Sequence, residues 1–367
     1  MAASVEYPTS LDEAASVTTS AESTSSADSA SRRGFDIVKL FRERDLVRVA
    51  APLVRISRLP FRLLCKKWGA DVVYTHMIYA DCIVNSPQAL ASDFSTSSHD
   101  SPLVVQFGCK DPVTFTKAAQ LLSSDCDAFG LNCGCPKSKH LRRGIGCSLL
   151  RTPELVADIV AQCNAVLSKP IEVKIRLRKD VRESVELCRR AEKAGVSWIT
   201  VHARQVKSND DDAPNVEGLR LVKESVTVPV VANGAIYSMT AARACQKATG
   251  VDGVMAARGL MHNPAMFTGA VACPRECFTD LFDLSAAHPS SGFNVRSLRR
   301  VCRMSLLPYG FTKRTLAPLE QCETIDAVRS FVAEQFDRAE HAGKPLCVRA
   351  TWQDRNAHHF EGAAHSG

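Results

Sequence analysis

The chain has 367 residues, 45% of them hydrophobic and 23% charged, and a formal net charge of +7. This length and apolar content allow a barrel-sized core together with a smaller domain. No apolar run is long enough to span a membrane, and the start MAASVEYPTSLDEAAS has neither a basic region nor an apolar stretch. We therefore expect no membrane insertion and no secretory signal. The positive charge permits an acidic partner without requiring one.

Fifteen cysteines in a chain without a secretory signal indicate a reducing compartment and free thiols. No Cys-x-x-Cys pair occurs, and Cys133 and Cys135 are too close together for the usual zinc spacing. We therefore expect no metal site, and a location in the cytoplasm or the nucleus.

The N-terminal segment is rich in Ser, Thr and Ala and contains few large apolar residues. Its composition predicts a disordered tail over residues 1–40.

After this tail, short β-branched or apolar runs alternate with amphipathic segments of helical length. The runs predict eight strands, at residues 46–50, 71–75, 102–107, 128–132, 171–175, 197–202, 229–233 and 252–256. Helix-start signals lie between them, such as Asp111-Pro112 and Asp180, and Gly195 stands where a helix would end. Alternating strands and helices favour a parallel sheet, and eight units fit a (β/α)8 TIM barrel over residues 41–275. A doubly wound sheet is the alternative, but no Gly-x-Gly-x-x-Gly follows the first strand.

The fourth run ends in the most informative stretch, AFGLNCGCP over residues 128–136. Gly134 and Pro136 break regular structure, so the cysteines stand at the carboxyl end of a buried strand, where parallel α/β folds place their sites. A basic segment, residues 137–143, follows at once. A thiol facing an anionic substrate is one interpretation, and a structural cysteine in a turn is the other.

Polar and basic side chains also follow the other predicted strands, where a barrel would bring them to one mouth. Lys174 lies inside an apolar strand, so it needs a partner, either an anionic group of a cofactor or an acid such as Glu172 or Asp127. Asn233-Gly234 and Arg258 follow the last two strands, where barrels commonly bind phosphate.

The alternation of strand and helix patterns ends near residue 270. Helical patterns then predict a small helical domain over residues 276–355, followed by a flexible end at 356–367. Ile325, Val328, Val332 and Phe336 form the apolar face of one helix, with Thr324 as its N-cap. The domain is basic, which fits either a surface for nucleic-acid backbone or a solvated helix face. Its cationic residues are Arg296, Arg299, Arg300, Arg303, Lys313 and Arg314.

With these motifs in order, residues 45–285 resemble the tRNA-dihydrouridine synthases, flavin-dependent TIM-barrel enzymes with a C-terminal helical domain. The resemblance includes APLVRISRLPFR (51–62), LNCGCPKSKHLRRGIGCSLL (131–150), VKIRLR (173–178), TVHARQ (200–205) and DGVMAARGLMHNPAMF (252–267). These motifs are most similar to those of the eukaryotic branch that acts at D-loop positions 20a and 20b. The sequence departs from the family at Gly130, where many members have an acid, at Cys147, at Ala203, at Ala235 and in loop 205–217.

The resemblance implies that Cys135, not Cys133, donates a proton to the uracil ring. It places FMN near Pro52, Leu53 and Val54, with Gln106 and Lys174 at its ring system. It assigns the remaining ring and phosphate contacts to His202, Asn233, Gly234, Ala235, Ala257 and Arg258. It puts Asn132 and Arg204 on the substrate side.

The implied reaction saturates the C5–C6 bond of uridine in tRNA, with hydride from flavin to C6 and a proton from Cys135 to C5. NADPH would reduce the flavin again, and the protein would act as a monomer. Two alternatives are an FMN barrel that reduces a free pyrimidine, as dihydroorotate dehydrogenases do, and a tRNA-binding protein that has lost catalysis.

Overall fold

The computed structural model describes residues 34–209, 212–341 and 357–361. The predicted tail therefore lies outside the described residues up to residue 33, as do residues 342–356 and 362–367 of the C-terminal part. Among the described residues, no helix has the length and apolar character needed to cross a bilayer.

The core of the molecule is a closed parallel barrel. Its strands are β1 (Val47–Ala50), β2 (Val72–Tyr74), β4 (Leu103–Gly108), β5 (Ala128–Cys133), β6 (Ile171–Leu177), β7 (Trp198–Gln205), β8 (Val230–Asn233) and β9 (Gly253–Ala256). Each pairs with its neighbour in parallel, and β2–β4 and β1–β9 pairings close the ring. A two-residue strand, β3 (Ile78–Tyr79), adds to the end of β4. The predicted TIM barrel is confirmed, and the doubly wound alternative is wrong.

Helices cover the outside of the barrel and fill the connections. They are α1 (Ile37–Glu43), α2 (Leu59–Lys67), α3 (Ala80–Asn85), α4 (Pro87–Asp93), α5 (Pro112–Leu121), α6 (Ser138–Arg142), α7 (Pro153–Val166), α8 (Val181–Lys193), α9 (Val216–Ser225), α10 (Met239–Thr249) and α11 (Arg258–His262). The predicted caps are confirmed: Asp111 accepts from the Thr114 amide at 2.7 Å, and Asp180 accepts from the Arg182 amide at 3.0 Å. Gly195 takes the left-handed conformation after α8, with φ of +90°.

Helix α1 closes the amino-terminal end of the barrel. Ile37 and Leu40 pack in one apolar cluster with inward-facing residues of the strands, and the Phe41 ring lies 5.9 Å from that of Trp198. Asp36 caps this helix by accepting from the Lys39 amide at 3.0 Å. The last residues of the predicted tail, 37–40, are therefore part of the folded barrel, because their apolar face plugs its interior.

The C-terminal helices are α12 (Arg275–Ala287), α13 (Val295–Leu306), α14 (Ile325–His341) and α15 (His358–Glu361). Asp280 of α12 accepts from Lys67 and from the Trp68 indole, both at 2.8 Å, which ties this helix to the end of α2. Val328, Val332 and Phe336 are buried on one face of α14, as predicted. Thr324 accepts from the Ala327 amide at 3.1 Å, so the predicted N-cap is confirmed.

Two of the predicted basic residues form bonds within this region. Arg303 forms an ion pair with Glu320, and Arg299 donates to the backbone carbonyls of Glu320 and Cys322. The remaining predicted cations are exposed, namely Arg296, Arg300, Lys313 and Arg314. The interpretation of these cations as a surface for nucleic-acid backbone stays a prediction. The domain boundary near residue 276 stays a prediction.

Candidate active site

The two cysteines after Asn132 have opposite environments. Cys133 is the last residue of β5 and is fully buried in the apolar layer between the barrel and its helices, where burial raises its thiol pKa. Cys135 lies beyond the strand and is only partly buried. Cys135 is therefore the thiol that a molecule at the carboxyl end of the barrel can reach.

Asn132 organises the turn that carries Cys135. Its side-chain oxygen accepts from the backbone amides of Gly134 and Cys135, at 3.1 and 3.0 Å, and its amide donates to Gln106 Oε1 at 2.7 Å. Arg176 Nε donates to the Gly134 carbonyl at 3.1 Å from β6. These bonds hold the turn against Gln106 of β4 and Arg176 of β6. The predicted contact of Asn132 with substrate stays a prediction, since its side-chain hydrogen bonds are to the turn and to Gln106.

A second segment holds Cys135 from the other side. A 3-10 helix over Gly146–Arg151 begins here, and the Cys147 amide donates to the Cys135 carbonyl at 3.0 Å. Gly146 has φ of +64°, and a Cβ at this position would lie 2.6 Å from that carbonyl oxygen. Only glycine therefore allows the two segments to approach this closely.

His140 of α6 contacts the Cys135 thiol directly. Its Nδ1 lies 2.9 Å from Cys135 Sγ, and the residue is only 2% exposed. The ring packs edge-on against Tyr79, with ring centres 5.7 Å apart. Burial, followed by the nearby lysines and Arg143, lowers the pKa of His140.

Lys174 points into the barrel and donates to Asn233 Oδ1 at 2.8 Å, while Asn233 Nδ2 donates to the Met255 carbonyl at 2.8 Å. Burial lowers the pKa of Lys174 to about 8. Neither predicted acid forms a hydrogen bond with Lys174. Asp127 accepts from Leu103, Ser101 and Phe35, whereas Glu172, two residues away on β6, interacts with Lys174 through its charge and raises the lysine pKa.

Gln106 lies on β4, two strands away from Lys174, and provides an unused hydrogen-bond donor. Its Oε1 accepts from Asn132, but its Nε2 is buried without a partner in the part of the chain that the structure describes. A buried amide N–H normally has an acceptor, so this atom points to a bound group with oxygen or nitrogen acceptors.

His202 is a neutral donor at the end of β7. Its Nδ1 accepts from the Arg204 amide at 3.2 Å, which leaves the proton of the neutral ring on Nε2. Burial and the surrounding cations, led by Lys174, lower the His202 pKa to about 2, so the ring stays neutral at physiological pH.

The ends of β8 and β9 form a small pocket lined by backbone and by Arg258. Gly234 and Ala235 both have positive φ, +112° and +59°, which turns the chain sharply after β8. The other lining residues are His202, Arg204, Asn233, Ile236, Tyr237, Met255, Ala257 and Gly259. Such a concave site, with backbone amides and a guanidinium, suits a phosphate group.

The loop after β1 contributes Pro52, Leu53 and Val54 to the rim. Ala51 donates to the Ala256 carbonyl at 3.0 Å, which sets this loop beside the end of β9. Ser57 folds the loop back by donating to the Ala51 carbonyl and accepting from the Leu53 amide, each at 2.9 Å. Val54 is 44% exposed, so an apolar surface remains available at the rim.

Comparison with known proteins decides the family. A family model described as dihydrouridine synthase (Dus) matches residues 48–302, more than half of the chain. This chain belongs to the dihydrouridine synthase family.

Curated relatives carry related names. A Mus musculus protein named tRNA-dihydrouridine(20a/20b) synthase (NAD(P)+)-like is 41% identical over 253 residues, which cover 68% of this chain and 78% of the relative. The Homo sapiens protein of the same name is 40% identical and covers 68% and 80%. A Saccharomyces cerevisiae tRNA-dihydrouridine(20a/20b) synthase (NAD(P)+) is 40% identical over 239 residues, 63% of this chain and 64% of the relative.

In this dihydrouridine synthase, the predicted site residues lie in the middle or at the carboxyl ends of the barrel strands and in the loops that follow them. The roles assigned to them individually stay predictions.

Sequence reasoning missed two features. It treated His140 only as part of a basic segment, although its position five residues after Cys135 was a possible signal. It noted Gly130 as a departure from the family but missed that this glycine makes room for the Glu172 carboxyl on the adjacent strand.

Proposed function

We propose that this dihydrouridine synthase reduces the C5–C6 double bond of uridine at position 20a or 20b of the tRNA D-loop, using FMN and NADPH. The observation that carries the proposal is the partly exposed Cys135 thiol. It lies at the same barrel mouth as a cationic lysine, a small pocket lined by Arg258, and the Gln106 amide donor, which has no partner among the described residues.

The residues present fit FMN. Gln106 Nε2 and the neutral His202 Nε2–H are donors for ring oxygen and nitrogen atoms, and Lys174 offers a cation without a bonded carboxylate. Gly234, Ala235 and Arg258 would hold the phosphate. When bound and reduced, FMN supplies the hydride that uracil C6 accepts.

The protein's own contribution to the chemistry is a positioned proton. Cys135 would hold a thiol proton at the mouth and release it to C5 of the uracil ring. Asn132 and Arg176 would keep the thiol in place through the backbone bonds of its turn. This fixed geometry lowers the entropic cost of bringing the acid to the ring.

A uridine within folded tRNA must leave its stack to reach this mouth. The basic segment over residues 137–143 borders Cys135, and Arg296, Arg300, Lys313 and Arg314 are exposed on the C-terminal region. These cations would bind phosphates of the tRNA backbone. We propose that the protein acts as a monomer in the cytoplasm or the nucleus.

The test is to purify the protein, record its visible spectrum, and incubate it with NADPH and a tRNA transcript that lacks dihydrouridine. The proposal expects flavin absorption near one FMN per chain, and loss of uridine at 20a or 20b measured by nucleoside mass spectrometry and position-resolved sequencing. A protein that neither carries nor takes up FMN would overturn the redox assignment and leave a tRNA-binding barrel.

The second candidate function, reduction of a free pyrimidine, uses the same mouth without tRNA. Turnover of uracil or orotate in the absence of tRNA, with none on the transcript, would favour it. The exposed cations of the C-terminal region favour the tRNA substrate instead.

A further inference from the structure

We propose that His140 is a positioning residue that accepts a hydrogen bond from Cys135 and keeps this cysteine as an oriented, protonated thiol until substrate arrives. The inference rests on the proposed function, because it explains how the proton donor is kept loaded. The observation that carries it is the direct contact between His140 Nδ1 and Cys135 Sγ at 2.9 Å.

The position of the imidazole is fixed by its backbone and by its ring neighbour. The His140 amide donates to the Lys137 carbonyl at 2.8 Å, and the His140 carbonyl accepts from Arg143 and Ile145, both at 3.1 Å. Tyr79 packs edge-on against the ring from β3. The ring therefore has little freedom to turn away from the thiol.

Cationic side chains lie close to this pair. Lys137, Lys139 and Arg143 lie on the same segment as His140 and lower its pKa together with burial. Arg176 of β6 donates to the carbonyl of Gly134. Lys110, which follows β4, has its side chain against Gly144. Cations near a cysteine stabilise its ionised form, which is the wrong form for a proton donor.

The negative and neutral titratable groups near the pair offset only the charge of Arg143. Asp81 of α3 is paired with Arg143 at 2.5 Å. Cys82 of the same helix lies beside Arg143, and Cys147 of the 3-10 helix is a thiol whose pKa burial raises to about 12. Tyr79 completes the set of titratable neighbours.

A neutral imidazole opposes this tendency. Because burial and the cations lower the His140 pKa, its ring is uncharged at neutral pH and one ring nitrogen is free to accept. A hydrogen bond from S–H to Nδ1 stabilises the thiol relative to the thiolate, and it directs the sulfur. The opposite arrangement, an imidazolium that activates a thiolate, requires a charged ring in a buried, cationic setting.

The experiment measures Cys135 alkylation by iodoacetamide against pH, on the protein as purified and without tRNA, by mass spectrometry of the peptide that contains Cys135. In His140→Ala the alkylation–pH profile should move to lower pH, with an unchanged plateau at high pH. Alkylation near neutral pH should then be roughly three- to tenfold faster than in the wild type, since one hydrogen bond to the thiol is lost. Lys139→Gln is the matched control on the same segment and should alkylate more slowly, because a cation is removed.

Slower or unchanged alkylation in His140→Ala would overturn the proposal, and slower alkylation would indicate an imidazolium–thiolate pair. A second measurement covers the case in which His140→Ala does not fold. Nitrogen-15 NMR of the wild-type histidines, with His140 assigned through His140→Asn, should show a neutral ring with an unprotonated Nδ1 at neutral pH. A charged ring there would overturn the proposal. Neither readout depends on dihydrouridine formation, so a failure of the proposed function gives a different pattern.

Discussion

Gly130 and Glu172 provide a sharp test of how the barrel interior is packed. They are direct partners in the β5–β6 register. A Cβ added at Gly130 would lie 2.6 Å from Glu172 Oε2, whereas Val104 Cγ1 and Tyr74 Cε1 would be at ordinary distances of 3.5 and 3.6 Å. Replacing Gly130 with alanine therefore creates one severe contact, and that contact is with the Glu172 carboxyl group.

The expected cost follows from the lack of room to relax. Glu172 is fully buried, so its carboxyl group cannot swing into solvent. Overpacking of this kind typically destabilises a core by about 1–3 kcal/mol. Gly130→Ala should lower the free energy of unfolding by that amount. In Gly130→Ala with Glu172→Ser the contact is gone, so the two changes should couple favourably by at least about 1 kcal/mol.

Urea unfolding of the flavin-free protein, followed by circular dichroism, measures these free energies. Gly108→Ala is the matched control on β4, because its added Cβ would meet only the side-chain ends of Met77 and Ile145 at 3.0–3.1 Å. It should cost less than Gly130→Ala. Strict additivity of the Gly130 and Glu172 changes, or a Gly130→Ala protein as stable as the wild type, would refute the reasoning.

Three further predictions concern buried charges. Lys174→Met should raise the dissociation constant of FMN at least about tenfold, measured by fluorescence titration, because a charged donor is lost; unchanged affinity would remove Lys174 from the flavin site. Asp100→Ala should cost about 3–5 kcal/mol in urea unfolding, because it leaves Arg62 buried without its carboxylate at 2.5 Å; a cost below about 1 kcal/mol would contradict this. Burial raises the Glu172 pKa from 4.5 to about 8, so the folded state binds the extra proton in this window and stability falls as pH rises. In Glu172→Gln the free energy of unfolding should fall less steeply with pH, by up to about 1.4 kcal/mol per pH unit. Curves of unfolding free energy against pH that run parallel for the variant and the wild type would contradict this.

The barrel could be predicted because its signals are local. Each predicted strand overlaps an observed one, since β-branched runs bounded by polar residues mark buried parallel strands. The two-residue strand β3 was missed because so short a run has no recognisable periodicity. Helix α1 was missed because the Ser- and Thr-rich composition before it was extended too far, although Asp36 and the following apolar residues form an N-cap pattern.

The grouping of the candidate residues at one end of the barrel was predictable, but their contacts were not. Strand ends in a barrel converge, so Gln106, Lys174, His202 and Asn233 could be grouped from the sequence. The bond from Lys174 to Asn233, rather than to an acid, depends on side-chain directions across two strands.

The contact of His140 with Cys135 depends on how a five-residue helix turns back over the cysteine. The contacts of Arg299 and Arg303 with Glu320 and Cys322 likewise depend on tertiary packing. No local pattern specifies either set of contacts.

The most direct test of the central claim compares dihydrouridine formation by the wild type and Cys135→Ala, both loaded with FMN and supplied with NADPH and an unmodified tRNA transcript. Cys322→Ala serves as the control, since it removes another partly exposed thiol from the C-terminal region. We expect equal flavin content in all three proteins, dihydrouridine at position 20a or 20b with the wild type and the control, and little with Cys135→Ala. Unchanged turnover by Cys135→Ala would contradict the assignment of the proton donor, and absence of dihydrouridine with the flavin-loaded wild type would contradict the proposed reaction.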